Sequence, residues 1–336
     1  MNNETVISIE EIFRVNESKF GTDLHDWSHG LIGTVWVIGD SQILVSFNYG
    51  MTWRNFYGRE CELLPSEQPF FVRATTSDHC WLGTRDAYSV VRVYLTEDCG
   101  KTWKNCFTSD CALYYARGCA DREGACISVV GKAMPSTSVT DTLFQSLDHG
   151  LHWQRTSLDV SGNAMMIEIM GDGSGILWTH KISPPHPNVS PAEVDRIFST
   201  QDGGVSWSNL MAFRQEHLTH VQFSSDSTNR SLVVWTSDGV SMTCKADQWS
   251  ERHCVFPEVS IRDVSMLNQK GAALGDSEDD ESADRTIILM TTEDDGESWT
   301  KRQFESQELF FKVQMLSGND GLLLSNSVVA RFGLAK

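Results

Sequence analysis

The sequence is poor in most features that mark specialised chains. Only 8 of its 336 residues are proline, too few for a polyproline stalk or a low-complexity linker. No run approaches the roughly 18 apolar residues that a membrane-spanning helix needs. Lys and Arg number 27 against 45 Asp and Glu, for a formal charge of −18. Nucleic acids and anionic membranes are bound by basic clusters that release counterions, so this balance argues against both; it permits a protein partner with a basic surface, and solubility alone also accounts for the charge. The nine cysteines include no Cys-x-x-Cys pair, which excludes zinc-finger and thioredoxin spacings and leaves reduced thiols as the expectation. The opening "MNNETVISIEEIFRV" has neither a basic nor an apolar leader region. A cytoplasmic chain is expected, with an exported protein whose leader has been removed as the alternative.

Chemical motifs are equally sparse. "GDGSG" (171–175) has the wrong spacing for a dinucleotide fingerprint or a P-loop. The acidic "GDSEDDESAD" (275–284) lacks the glycine and terminal glutamate of an EF-hand loop. His217 and His220 of "HLTH" fit packing beside a strand better than metal ligation. No cofactor and no metal are expected.

What the chain does contain is a repeat. "SFNYGMTW", "TEDCGKTW", "SLDHGLHW", "TQDGGVSW" and "TEDDGESW" end at Trp53, Trp103, Trp153, Trp207 and Trp299. The intervals are 50, 50, 54 and 92 residues, and the last is nearly two periods, so a further copy belongs near residue 250. Trp249 in "TCKADQWSE" takes that place as a degenerate copy. A period near 50 describes an array of supersecondary units. Short β runs separated by turns precede and follow each signature, such as "FFVRATT", "HCWLGT", "VVRVYLT" and "WKNCF" around the second. Six such four-stranded units, with "LFFKVQML", "GLLLSN" and "VVARFG" completed by the N-terminal "TVISIEE", predict an all-β, seven-bladed β-propeller of four-stranded antiparallel blades. Six blades is the alternative. Residues 1–336 then form a single propeller domain, with closure removing exposed sheet edges.

The signature resembles the Asp-box, or bacterial neuraminidase repeat, of sialidases, sortilin-type receptors, xyloglucanases and photosystem assembly factors. The resemblance implies a propeller with each box on the turn between the third and fourth strands of a blade. It implies no single function, because those relatives do different jobs.

Two sets of residues are candidates for a site. Each inner strand carries one polar residue: Arg73, Arg117, Glu168, Gln222, Arg262 and Lys312. Lining a central channel, they would offer a cationic site for a carboxylate, a phosphate or an acidic side chain. The longest insertions fall between second and third strands, opposite the boxes, and hold Arg85, Asp86, Tyr88, His186, Asp279, Asp280 and Glu281. Long loops gathered on one face of a rigid scaffold usually carry binding. The leading expectation is therefore a non-catalytic protein-interaction propeller: an assembly factor, a recognition module or an inhibitor. The alternative is a sialidase-like glycoside hydrolase or glycan-binding protein, with a glycan or small anion as ligand. A sialidase, however, needs a tyrosine beside a glutamate, and the adjacent Tyr114 and Tyr115 belong to a different repeat from Glu168.

Overall fold

The computed structural model describes residues 7–14, 24–29, 33–40, 42–56, 67–121, 124–134, 141–182, 193–214, 218–223, 231–245, 248–249, 253–254, 259–267, 270–277, 285–294, 296, 298–317 and 320–334. The chain divides into two compact units, Gly21–Gln215 and Met1–Phe20 with Glu216–Lys336. Among the described residues every regular element is a strand.

The unit from 21 to 215 opens with an antiparallel quartet of Leu24–His29, Val35–Gly39, Gln42–Ser46 and Arg54–Asn55. A seven-stranded sheet follows, built from Gln68–Ala74, Cys80–Arg85, Val90–Thr96, Lys104–Ala120, Ile127–Ala133, Asp141–Ser146 and Gln154–Leu158. Asn163–Ile169, Gly175–Ile182, Glu193–Thr200 and Ser208–Arg214 complete the unit. The other unit holds Leu218–Phe223, Ser231–Thr236, Val240–Lys245 and Gln248–Trp249, with His253–Cys254 also on the third strand. It continues with Val259–Leu267, Lys270–Ser277, Arg285–Thr292 and Thr300–Ser306, then Lys312–Met315, Asp320–Leu324 and Val328–Leu334. Ile7–Arg14 pairs with Val328–Leu334 and supplies the fourth strand of this last quartet.

Burial follows strand position. Val35–Gly39 and Asp141–Ser146 are buried at every residue, whereas Thr300–Ser306 at a sheet edge alternates exposed and half-buried positions. Strands covered on both faces read as continuous apolar runs, and edge strands read as alternation. The expected separate strands at "WKNCF" and "LYYARGC" are instead one 17-residue strand, Lys104–Ala120. Its first part pairs with Val90–Thr96 and its second, from Leu113, with Ile127–Ala133. It thus serves as the fourth strand of one quartet and the first of the next. With that strand counted twice, the six sheets contain seven quartets.

Five corners share one construction. The hydroxyls of Ser46, Thr96, Ser146, Thr200 and Thr292 accept the N–H of Gly50, Gly100, Gly150, Gly204 and Gly296 at 2.8–3.0 Å. Oδ1 of Asn48, Asp98, Asp148, Asp202 and Asp294 accepts the N–H four residues on at 2.8–2.9 Å. The indole N–H of Trp103, Trp153, Trp207 and Trp299 donates to the carbonyl of the corner glycine at 3.0–3.2 Å. Gly150 shows why glycine is needed there: φ is +76°, and an added Cβ would meet the Trp81 ring of the preceding quartet at 2.8 Å. Trp36 packs edge-on against Trp103 at 5.8 Å between ring centroids, and Trp235 against Trp299 at 5.4 Å. Trp249 pairs with Cys244 on the short fourth strand of its sheet.

A second device joins neighbouring quartets. Asp26 accepts the N–H of Val72 at 3.3 Å, and Ser28 that of Ala74 at 2.9 Å. In the other unit, Asp263 accepts the N–H of Val313 at 2.9 Å, and Ser265 that of Met315 at 3.0 Å. An Asp-x-Ser on one inner strand thus caps two backbone groups of the next. Cys80, Cys99, Cys106, Cys111, Cys119 and Cys126 are free thiols, and burial pushes Cys119 up to about 12, where it is inert.

Two expectations follow. Ser265 and Met315 are both buried, so Ser265→Ala, by orphaning the Met315 N–H, lowers stability by about 1–3 kcal/mol in urea unfolding; a change within error would contradict this. The second concerns acid. The N–H of His152 leads the donors that hold Asp148 down to about 2, and the hydroxyls of Ser206 and Ser298 do the same for Asp202 and Asp294. Folded values below the ordinary carboxylate value of about 3.9 mean stabilisation that is complete above it and is lost as pH falls toward about 2. Asp202→Asn keeps the acceptor, as Asn48 does naturally, so melts recorded from pH 5 to pH 2 become less pH-dependent; an unchanged profile would count against the assignment.

Candidate functional site

The corners sort the ends of the strands in the 21–215 unit. The residue before each corner glycine donates its N–H to the turn between the first two strands of its own quartet: Tyr49 to Gly33, Cys99 to Asp78, His149 to Ala125 and Gly203 to Gly173, at 2.8–3.1 Å. Box turns and first-to-second turns therefore share one end. At the opposite end, the second-to-third turn meets the crossing between quartets. There the Leu113 N–H donates to Ser89 O at 2.8 Å, Arg85 Nη1 to Tyr114 O at 3.2 Å, and the Met134 N–H to Ala112 O at 2.8 Å.

The polar residues of the inner strands are not all in equivalent positions. Near its start, the first strand of successive quartets has a register shift: Leu24/Asp26, Pro69/Phe71, Ala164/Met166, Leu218/His220 and Ile261/Asp263. Counted from that bulge, Arg73, Glu168 and Gln222 share a position with Ser28 and Ser265, whereas Arg262 lies at the bulge itself. The caps give a second correction. Val313 and Met315 take the places of Val72 and Ala74, so Gln314, and not Lys312, matches Arg73. A bulge shifts every later residue by one without altering composition, so it leaves no trace in the residue pattern.

The charges are also answered locally. Arg73 Nη1 lies 3.1 Å from Asp26 Oδ2, with 35% of its side chain exposed. Burial works against its charge, but Asp26, supported by Glu168, outweighs that and holds Arg73 more firmly protonated than usual. Arg262 is paired with Asp276. Arg117 is exposed and donates to the carbonyl of its neighbour Ala116 at 3.1 Å. Lys312 is half-buried on its strand, and Gln222 is placed here by its backbone pairing alone.

Tyr115 is occupied structurally. Its hydroxyl donates to buried Asp141 and accepts the N–H of Ala164 at 3.0 Å. Burial and the Asp141 hydrogen bond both push the phenol far above its ordinary value, the reverse of what a phenolate nucleophile requires.

Of the loop candidates, Arg85, Asp86 and Tyr88 lie on the second-to-third turn of the 68–120 quartet, where Tyr88 is 82% exposed. His186, Asp279, Asp280 and Glu281 lie outside the described residues. Tyr114 on the crossing strand, and Met134 at the end of Ile127–Ala133, are brought beside this turn by the bonds of Leu113 to Ser89 and Met134 to Ala112. Among the described residues no group of three or more His, Cys, Asp or Glu side chains is arranged to hold a metal ion, and no helix is long and apolar enough to cross a membrane.

No family model and no curated protein matches the sequence. Solved structures do match the fold. "YCF48 bound to D1 peptide" superposes with a TM-score of 0.64 at 13% identity, covering 98% of this chain and 97% of that one. The GH74 enzyme of Niastella koreensis gives 0.68 at 13% identity over 96% of this chain, which spans 53% of the enzyme. A streptogramin B lyase structure gives 0.60 at 9% identity, with 98% of each chain covered. With the four-stranded antiparallel sheets, these likenesses define the class of the chain as all-β, of the β-propeller type. At such identities they carry the fold alone.

Tyr115→Phe tests the structural role of this residue. Removing the hydroxyl takes one donor from buried Asp141, whose Oδ2 keeps only the Ala164 N–H at 2.9 Å, so stability in urea falls by about 1–3 kcal/mol. In the parent protein, ultraviolet titration should detect no Tyr115 phenolate up to pH 11; an inflection near pH 10 removed by the substitution would contradict the assignment.

Proposed function

We propose that this chain is a non-catalytic interaction propeller that binds a protein partner through the ends of its strands opposite the Asp boxes. The observation that carries the reading is Tyr88, a large aromatic side chain left 82% exposed on the turn Arg85–Ser89. Surface aromatics on well-held backbone are frequent anchors of protein interfaces. Support also comes from the inner strands, where Arg73 and Arg262 already have carboxylate partners and Tyr115 is committed to Asp141 and Ala164. A propeller with a similar fold is described bound to a peptide, the D1 peptide, so the fold is compatible with this use. The acidic loop at 275–284 adds a basic surface as a feature the partner would share, and the cytoplasm is the compartment that suits its free thiols.

A second reading, glycan or small-anion recognition with or without hydrolysis, rests on Arg117. Its guanidinium is exposed and bonded to a backbone carbonyl.

Affinity capture separates the two. The intact protein, presented to lysate from its own source, is expected to retain one protein in stoichiometric amount and to leave aryl glycosides unhydrolysed. Retention of no protein, or glycoside turnover that disappears in Glu168→Ala, would overturn the proposal.

A further inference from the structure

The turn carrying Tyr88 belongs to a larger surface whose composition indicates what it binds. Three segments converge there: the turn Asp86–Ser89, the crossing Ala112–Tyr114 of the 17-residue strand, and the end of Ile127–Ala133 with Met134. Their exposed side chains are Tyr88 at 82%, Tyr114 at 69% and Met134 at 42%. Two exposed tyrosines and a methionine on converging backbone segments are side chains of the kind that anchor interfaces.

The patch is built to hold its shape. Asp86 Oδ1 accepts the N–H groups of Tyr88 and Val90 at 2.9 and 3.0 Å. The Ser89 N–H closes on Asp86 O at 2.9 Å, and Ser89 itself sits at φ +62°, a left-handed conformation costly for a residue with a Cβ. Arg92 fixes the other side of Asp86 at 3.0 Å and also contacts buried Glu67 at 2.9 Å. Both neighbouring pairings slip in register here, between Val90 and Arg92 and between Gly131 and Ala133. Bulges of this kind re-aim side chains. A rigid turn that presents tyrosine spares a partner the entropy of ordering the site.

Charge identifies the partner. Arg85 donates to Tyr114 O, and Lys132 lies on the strand that ends beside Met134. Among the described residues neither has a carboxylate within 4.0 Å, unlike Arg14, Arg73, Arg92, Arg155, Arg262 and Arg331 but like Arg54, Arg117 and Arg302; what sets these two apart is the exposed tyrosines beside them. In a chain of net charge −18, two cations left without carboxylates beside exposed tyrosines mark a place where carboxylates would be supplied from outside. We infer that Arg85, Tyr88, Tyr114, Lys132 and Met134 form a docking surface for a peptide segment that presents apolar or aromatic side chains next to Asp or Glu. The inference deepens the interaction reading and rests on it, but assigns this surface a ligand chemistry opposite in charge to that suggested by the acidic loops.

The test is selection of a random 12-residue displayed peptide library on the intact 336-residue protein. Enriched sequences are then synthesised, and their affinities measured by fluorescence anisotropy. The expected result is enrichment of Asp or Glu adjacent to Phe, Tyr, Leu or Met, with affinity falling at least tenfold in Tyr88→Ala and in Arg85→Ala and changing less than twofold in Arg302→Ala. Both test positions leave the core untouched, and matching thermal melts verify folding. Enrichment of basic peptides, no enrichment at all, or affinities unchanged in both variants would overturn the inference. So would a glycan array response, lost in Tyr88→Ala, in place of peptide binding. If the lysate partner is retained equally by Tyr88→Ala, this surface is wrong while the interaction reading stands; if the intact protein retains no partner, the broader reading fails.

Discussion

The architecture depends on a hydrogen-bonded corner in which a Ser or Thr hydroxyl accepts a glycine N–H and an Asp or Asn oxygen accepts the N–H four residues further on. A reversal between two strands leaves backbone donors that no ladder can use, and burying them unpaired would cost about as much as a lost hydrogen bond each. Each corner satisfies two of them with side chains only two residues apart. The tryptophan that follows lies across the glycine carbonyl. At Gly100 and Gly150 the second-strand tryptophans of the preceding quartets, Trp36 and Trp81, pack against the corner. One local motif therefore fixes both the reversal within a quartet and the packing between quartets.

The functional argument follows from that fixity. In the 21–215 unit the corners are tied to the first-to-second turns by four backbone hydrogen bonds, so the backbone at that end is committed to structure although Phe47, Tyr49, Met51, Leu147, Leu151 and Val205 are exposed there. The opposite end carries Tyr88, Tyr114 and Met134, with Arg85 and Lys132 beside them and no carboxylate within 4.0 Å of either among the described residues. The Asp-x-Ser caps and the Tyr115–Asp141 pair account for much of the polar chemistry on the inner strands as stabilisation. That is why we place recognition on the turns and leave hydrolysis as a second reading.

Much of the fold was legible because the corner is local: Ser, Asp, Gly and Trp must occur at fixed spacing, and five copies announce the period. Four-stranded grouping and completion of the last quartet by the N-terminal strand were readable for the same reason. The bulges were not, because one extra residue in a strand leaves no mark in hydropathy, and so Arg262 and Lys312 were aligned with Arg73 although Ser265 and Gln314 share its position. The long strand Lys104–Ala120 was hidden by "TSDCA", whose polarity reads as a loop. Asp26 with Ser28 and Asp263 with Ser265 were visible as letters, but their role appears only when neighbouring strands are placed beside them. At the candidate site, Arg85, Asp86 and Tyr88 were found as turn residues; Lys132 and Met134 open an insertion expected on the same face, and Tyr114 was not joined to them because segments distant in sequence meet there.

Recognition is proposed to occur at the end of the strands opposite the five hydrogen-bonded corners. Hydrogen exchange of the protein alone and with its captured partner tests it most directly. The account predicts new protection at 85–90, 112–114 and 132–134, with the corners at 46–53, 96–103, 146–153 and 200–207 unchanged. Protection confined to the corners would contradict it.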